Sequence, residues 1–355
     1  MKIIIATGAS GGHIFPALSL AEEFKDKHDI IFVCEQGKSE ILIEEAGFKT
    51  LAISIVKPRS LKNMFSFIFS LVRSFGESLR IINSFKPEVA VGFGSFVSFP
   101  LIAAAKIKGL PTVIHEQNAV PGLANRILAN FSNKIAVSFS ESNKYFPGQK
   151  RVLTGCPVRP ELLKADKASA RQFFNLKSNK FTILVLGGSQ GSHNINVKFM
   201  QVLREIKEKD NLQVIHLTGS ADYEWVRSEY QKIGIEHCVF AFLKEMGYAY
   251  KSADLVISRA GASAIAEIAL LGVPAILVPY PFARAHQLEN ARAMADKGAA
   301  VLIKDADLSA QVFKGHILRL LNNRCLLQEM AQKARDFSMP YAAKDLANVI
   351  TGLVR

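Results

Sequence analysis

Apolar residues along this chain come in short runs, separated by glycine-rich turns and by segments of helical period. Lys2–Thr7 is a β-branched run, followed by glycines and an amphipathic stretch over Pro16–Phe24. Ile30–Cys34, Val89–Val91, Thr112–Ile114 and Lys134–Val137 repeat the apolar run, with helical-period segments between them. The alternation predicts an α/β fold, a parallel sheet wrapped by helices, because parallel strands need crossovers and are buried on both faces.

The pattern then restarts. Phe181–Leu186 is a second leading strand, followed by Gly187-Gly188-Ser189-Gln190-Gly191, and Val214–Thr218, Val239–Phe242, Asp254–Ser258 and Ala275–Pro279 continue it. Aligning Gly8 with Gly187 places Ser10 on Ser189 and Gly12 on Gly191. Two similar halves are expected, 1–160 and 161–340, joined near Gly155-Cys156-Pro157-Val158-Arg159-Pro160, where two prolines disfavour regular structure. The segment 341–355 reads as a helix after Pro340 and is expected to pack back on the first half.

Composition adds limits. A chain of 355 residues suits two domains, and 49% hydrophobic with 21% charged residues is globular composition. The apolar start runs straight into a glycine loop, so it reads as a first strand rather than a leader. The uncharged stretch Val89–Ala105 contains Gly92, Gly94 and Pro100 and suits strand, loop and helix start better than a membrane span. Cys34, Cys156, Cys238 and Cys325 are far apart without metal-type spacing, so reduced thiols in a cytosolic protein are expected.

The formal charge of +13 is not gathered into an arm or an aromatic-interleaved motif, which argues against nucleic acid. One window stands out. Lys57, Arg59, Lys62, Arg73, Arg80 and Lys86 face only Glu77 within it, and an anionic membrane surface is the competing explanation, to be tested at that window.

Three glycine loops follow strands: Gly8-Ala9-Ser10-Gly11-Gly12, Gly92-Phe93-Gly94-Ser95 and Gly187–Gly191. Glycines there let backbone N–H groups converge on an anion at a helix N-terminus. The first loop also fits G-x-S-x-G, the hydrolase nucleophile elbow. That elbow occurs once per chain with an acid and a His following in order, whereas here the pattern is duplicated. Neither copy is a G-x-G-x-x-G, so a dinucleotide site is also disfavoured.

Ligands of open α/β sheets bind outside the carboxyl ends of strands. Thr112–Ile114 ends in His115-Glu116-Gln117-Asn118, either a polar exit loop or a ligand-facing cluster. Glu267 is the single charged residue between Arg259 and Arg284, and a carboxylate on so apolar a helix requires a partner, from the protein or from a ribose diol. Arg284, His286, Gln287 and Asn290 form a further polar cluster.

The ordered set Gly11-Gly12-His13-Ile14-Phe15-Pro16, His115–Asn118 with Pro121-Gly122-Leu123-Ala124-Asn125, Gly155–Arg159, Gly187–Gly191 and Gly261–Glu267 resembles the MurG family. Its members are the N-acetylglucosaminyltransferases of peptidoglycan synthesis, tied to cell shape and division. The resemblance implies a GT-B architecture, two Rossmann-like domains facing a cleft. The first would be the acceptor- and membrane-associated domain, and the second would bind UDP-GlcNAc.

By position in the motifs, Ser189 and Arg159 would contact the donor diphosphate, Glu267 the ribose, and Leu243 the uracil. Ala262, Ser263, Ala264, Ile265, Ala266 and Gln287 would line the donor pocket. Ser10, Gly11, Gly12 and Asn118 would approach the GlcNAc, while Gly92, Gly94, Ser95, His115 and Glu116 would serve the acceptor. The family's first loop usually reads G-G-T-G-G-H, so Ala9 and Ser10 are departures that keep the hydroxyl. Phe99 stands where the second loop usually has Gly.

The implied reaction is inverting transfer of GlcNAc from UDP-GlcNAc to the 4-hydroxyl of the MurNAc of lipid I, giving lipid II. His13 is the candidate general base, with positioning of the acceptor as the alternative role. No cofactor and no metal are expected. The implied location is the cytoplasmic face of the cell membrane, as a peripheral protein, with other cell-wall synthesis proteins as candidate partners.

On a helical wheel Leu61, Phe65, Ile68, Val72, Phe75 and Leu79 share one face and read as a core stripe. Phe67 and Phe69 fall off it, and Phe69 lies beside Lys62, Arg73 and Arg80, a pattern that suits a headgroup interface. A UDP-GlcNAc 2-epimerase of the same fold and a non-catalytic nucleotide-sugar binding protein remain the alternatives.

Overall fold

The computed structural model describes residues 1–55, 64–207, 209–283 and 286–354. The chain divides into two compact units, Met1–Arg159 with Met339–Arg355, and Pro160–Ser338.

The first unit is built on a sheet of strands β1 (Lys2–Ala6), β2 (Asp29–Cys34), β3 (Lys49–Ala52), β4 (Val89–Gly92), β5 (Thr112–Glu116), β6 (Lys134–Val137) and β7 (Arg151–Leu153). All pairings are parallel, in the order β3-β2-β1-β4-β5-β6-β7. Successive side chains of β1 point to opposite faces. Ile3 and Ile5 pack with Ile14, Ala17 and Leu20 of helix Gly11–Phe24, while Ile4 and Ala6 pack with Val97, Leu101 and Ile102 of helix Ser95–Ile107. Both faces are covered, which is why the strand reads as an unbroken isoleucine run. The terminal helix Ala342–Thr351 adds Leu346, Ala347 and Ile350 to the same core as helix Gly11–Phe24.

The second unit holds β8 (Phe181–Leu186), β9 (Leu212–Leu217), β10 (Glu236–Phe240), β11 (Leu255–Ser258), β12 (Ala275–Leu277) and β13 (Ala300–Leu302). These are again parallel, ordered β10-β9-β8-β11-β12-β13. Its core joins Ile183, Val185, Ile195, Phe199, Val214 and Ile257.

In each sheet the strand order reverses once, between β1 and β4 and between β8 and β11. Such switch points open a crevice at the carboxyl ends of the strands. The loops Gly8–Gly12 and Gly92–Ser95 leave the first pair, and Gly187–Gly191 and Arg259–Gly261 leave the second.

Three features depart from the sequence expectation. Strands β3, β7 and β13 fall outside the expected strand runs; each lies at a sheet edge, is three or four residues long and is partly exposed. The first helix begins at Gly11 rather than Pro16, with Pro16 inside it, and Pro100 sits likewise inside the helix after β4. A proline in these early turns removes one backbone hydrogen bond without ending the helix.

The third departure concerns helix Met64–Phe85. The first half of its expected core stripe faces outward: Phe65, Ile68 and Val72 are 87%, 52% and 67% exposed, and Phe69 is 73% exposed, whereas Phe75 and Leu79 of the same stripe are half-buried against the core. The buried face carries Ser70, Ser74, Ser78 and Ile82 instead. Ser74 Oγ donates to the Ser54 carbonyl (2.9 Å) and Ser78 Oγ to the Ser74 carbonyl (2.7 Å). Phe67, expected at a surface, turns inward with its ring 5.3 Å from that of Phe96. Arg73 and Arg80 are exposed, and Arg73 pairs with Glu77 at 2.9 Å. Lys62 lies outside the described residues, as do Lys57, Arg59 and Arg284.

Candidate functional site

In the first unit the two switch-point loops are locked together. A Cβ on Gly8 would stand 2.5 Å from Ser95 Cβ, so only glycine fits. Gly94 (φ +77°) and Ser95 (φ +64°) are both left-handed, and in a serine that conformation is strained. His13 lies between the loops. Its ring carbons come within 3.2 Å and 3.3 Å of where Cβ atoms on Gly8 and Gly94 would be. Its backbone N–H donates to the Ser10 carbonyl (2.9 Å), which fixes it in the first turn of helix Gly11–Phe24.

No side chain caps that helix. The first-turn N–H groups of a helix have no intrahelical acceptor, so Gly11 and Gly12 present donors and the positive dipole end at an exposed loop. Arg159, the last residue of this unit, stacks its guanidinium over the Phe15 ring at 4.3 Å, and a Cβ on Gly11 would touch that ring at 3.0 Å. A cation is thereby held beside the glycine loop.

His115 and Glu116, expected at the acceptor, are both buried, Glu116 hydrogen-bonded within the loop that carries it and His115 to the Gly155 backbone. Glu116 accepts hydrogen bonds from the Asn118 backbone N–H (2.9 Å) and Nδ2 (3.1 Å), the Gly122 N–H (3.1 Å) and Asn125 Nδ2 (2.8 Å). These close the turn 117–122 and leave Asn118 half-exposed at its rim. His115 Nε2 lies 3.0 Å from the Gly155 carbonyl. Gly155 needs its positive φ (+82°) and lack of a side chain because Met339 Cβ would be 2.5 Å from a Cβ there.

Burial pushes the His115 pKa down to about 4 from an ordinary 6.5. Above pH 6.5 the ring is neutral whether the chain is folded or unfolded. Between 6.5 and 4 the unfolded chain takes up a proton that the folded chain refuses, so stability is lost as pH falls through that window. The cost is on the order of 2 kcal/mol at pH 5. Urea midpoints at pH 7.5 and pH 5 should therefore converge in His115→Gln relative to the native chain; an equal pH dependence in both would contradict this assignment.

In the second unit Gly188 and Gly191 adopt positive φ (+88° and +77°), and the Gly191 N–H donates to the Gly188 carbonyl (3.0 Å). Ser189 stands exposed at the loop tip. Ser192 occupies the N-terminal boundary position of helix His193–Glu205 without capping it, and its buried hydroxyl has no hydrogen-bond partner among the described residues.

On the neighbouring strand, Gly261 opens helix Ala262–Leu271, again without a side-chain cap. Ala262, Ser263, Ala264, Ile265 and Ala266 form its first turns, and Glu267 is buried one turn on. Gln287 Oε1 accepts from the N–H groups of Ala260 (3.1 Å) and Tyr280 (2.9 Å), tying the ends of β11 and β12 together. Leu243 is buried just beyond β10.

Arg259 was not singled out by its sequence. It donates to the carbonyls of Val278 (3.2 Å) and Pro279 (3.1 Å) and pairs with Asp305. The available signal was a lone arginine closing an apolar strand directly before Ala260-Gly261.

The glycosyltransferase family 28 N-terminal domain matches residues 3–137, and the family 28 C-terminal domain matches residues 182–346. The UDP-N-acetylglucosamine--N-acetylmuramyl-(pentapeptide) pyrophosphoryl-undecaprenol N-acetylglucosamine transferase of Thermodesulfovibrio yellowstonii is 39% identical, covering 100% of this chain and 99% of that protein. The enzyme of the same name from Halothermothrix orenii is 40% identical over 99% and 98%. The chain belongs to this transferase family.

A crystal structure of Acinetobacter baumannii MurG superposes with a TM-score of 0.81 at 28% identity, covering 99% of each chain. The UDP-GlcNAc 2-epimerase of Neisseria meningitidis superposes at 0.72 with 15% identity, covering 99% of this chain and all of the other, a likeness of fold alone. The MurG family and the GT-B fold expected from the motifs are thus both found.

Proposed function

We propose that the chain is the working transferase of this family. It moves GlcNAc from UDP-GlcNAc to the 4-hydroxyl of the MurNAc carried by undecaprenyl diphosphate, forming lipid II. The observation that carries this reading is the seating of the family's glycine loops at the switch point of each sheet, with His13 held between two of them.

The second unit supplies most of the donor contacts. The Gly187–Gly191 backbone and Ser189 meet the diphosphate, joined by Arg159 from the end of the first unit, Glu267 meets the ribose diol and Leu243 the uracil, while the 262–266 turn and Gln287 line the sugar pocket. The first unit brings the acceptor, with its diphosphate at Gly92, Gly94 and Ser95, and with Ser10, Gly11, Gly12 and Asn118 near the transferred sugar. His13 takes the proton of the 4-hydroxyl as its oxygen bonds to the anomeric carbon and the bond to UDP breaks, inverting that carbon. Preorganised N–H donors and Arg159 stabilise the charge that develops on the leaving diphosphate.

Incubation with labelled UDP-GlcNAc with and without lipid I tests the reading. Label in lipid that depends on lipid I supports it. ManNAc formation would favour the epimerase, and binding without turnover a non-catalytic protein.

No helix among the described residues is long and apolar enough to cross a membrane. The outward stripe Phe65, Ile68, Phe69 and Val72, flanked by Arg73 and Arg80, instead suits lying in the headgroup layer of an anionic membrane. Phe67 links this helix to Phe96, next to Ser95, so the stripe lies close to the loop assigned to the acceptor's diphosphate. Each basic residue near such a surface contributes about 1 kcal/mol. The triple variant Phe65→Ser/Phe69→Ser/Arg73→Glu should lose most of its sedimentation with phosphatidylglycerol vesicles while its UDP affinity is unchanged. Equal sedimentation would defeat the membrane assignment.

A further inference from the structure

Beneath the Gly187–Gly191 loop runs a chain of buried polar side chains that the reaction as described does not use. His216, on β9, is sealed from solvent between helix His193–Glu205 and helix Tyr223–Ile233. Its Nδ1 lies 3.0 Å from the Tyr230 hydroxyl and its Nε2 3.0 Å from Asn196 Oδ1. Asn196 Nδ2 reaches the Thr218 carbonyl (3.0 Å) and Asp222 Oδ2 (2.7 Å).

Donor and acceptor counting fixes the direction of every bond. A carbonyl and a carboxylate only accept, so both Asn196 Nδ2 hydrogens are committed and Oδ1 is the atom facing His216. Nε2 of His216 therefore carries the proton. Nδ1 is then a lone pair, and Tyr230 must donate its hydroxyl to it. Burial pushes the His216 pKa down to about 3, so the ring stays neutral in this single tautomer.

The outer end of this chain grips the donor loop. Thr218–Gly219 is in backbone contact with Gln190–Gly191: a Cβ on Gly191 would stand 1.9 Å from the Thr218 oxygen, and one on Gly219 2.2 Å from the Gln190 oxygen. The carbonyl that Asn196 holds is thus the one against which Gly191 rests. A shift of that carbonyl moves the loop with it.

We propose that His216, oriented by Tyr230 and acting through Asn196 on the Thr218 carbonyl, is a positioning residue for the donor diphosphate. It touches no substrate. It sets the place of the loop whose N–H groups do, and the inference rests on the reading that Gly187–Gly191 holds the diphosphate.

The test compares UDP with uridine by calorimetry, alongside steady-state kinetics with UDP-GlcNAc varied. Tyr230→Phe removes one hydroxyl in a nearly isosteric change and should weaken UDP binding and raise donor KM about 3- to 10-fold, the worth of one buried hydrogen bond. Uridine affinity should not change, because uridine has no diphosphate to misplace. His216→Leu should show a larger loss of the same kind, and His216→Gln, which keeps an N–H donor toward Asn196, should recover part of it.

Lower thermal stability in these variants with the native preference for UDP over uridine intact would make the network packing only and overturn the inference. Ser189→Ala separates the two readings. If the native chain binds UDP no better than uridine, and Ser189→Ala changes nothing, the assignment of the loop fails and the inference with it. If Ser189→Ala weakens UDP while Tyr230→Phe and His216→Leu do not, the loop assignment stands and the inference alone falls.

Discussion

Replacement of His13 by alanine is expected to lower kcat by about 10² to 10⁴, the usual contribution of a positioned general base, with UDP-GlcNAc affinity changed less than threefold. The split follows from where the residue sits. His13 belongs to the first unit, pinned between Gly8 and Gly94 in the first turn of a helix, while the loop proposed to hold the donor diphosphate belongs to the second. A base acts on the acceptor hydroxyl in the transition state, so its loss appears in turnover and not in ground-state donor binding. His13→Gln keeps the shape and a polar end but cannot take the proton, and should be nearly as slow as alanine. Donor binding weakened tenfold with turnover unchanged would remove His13 from the base role.

The second large effect is steric. Gly191→Ala should reduce UDP affinity at least tenfold, whereas Gly188→Ala, three residues earlier in the same loop, should cost much less. Both positions have positive φ, so both pay about 1–2 kcal/mol of backbone strain on gaining a side chain. The Gly188 Cβ meets nothing within 4 Å, but that of Gly191 would overlap the Thr218 carbonyl at 1.9 Å and Gly219 Cα at 2.8 Å. Backbone atoms cannot rotate aside, so the loop itself must move. UDP calorimetry on the two variants, with circular dichroism to confirm folding, measures the difference. Equal losses would mean that strain alone governs this loop.

Much of this was readable before any coordinates. The glycine loops stood out because glycine takes up left-handed backbone without strain and leaves room for a neighbour packed against its Cα, and Gly8, Gly94 and Gly191 meet one condition or both. The buried strands were legible too, since β1 and β8 are covered on both faces and therefore apolar without alternation. Edge strands β3 and β7 were not, because a short ladder with one partner needs few apolar residues.

Helix Met64–Phe85 is the instructive failure. Its periodicity located an apolar face, and apolar faces are normally packed. Here only Phe75 and Leu79, among the described residues of that face, pack on the core, while Phe65, Ile68 and Val72 turn outward and the fully buried positions are serines whose hydroxyls are satisfied on backbone carbonyls. Periodicity reports that a helix has two faces, and only its neighbours decide which one is buried. His115 and Glu116 teach the same lesson for polar residues. A run of hydrogen-bonding side chains after a strand does not say whether they point to a ligand or, as here, back into the loop that carries them.

By itself the sequence determined the fold class, the family and where the glycine loops fall, because those depend on local backbone chemistry and on motif order. Tertiary structure alone decided which polar residues are sealed inside, which face of a helix is presented outward, and that Asn196, His216 and Tyr230 form one directed chain. Those properties arise from contacts between residues distant in sequence, and no spacing along the chain encodes them.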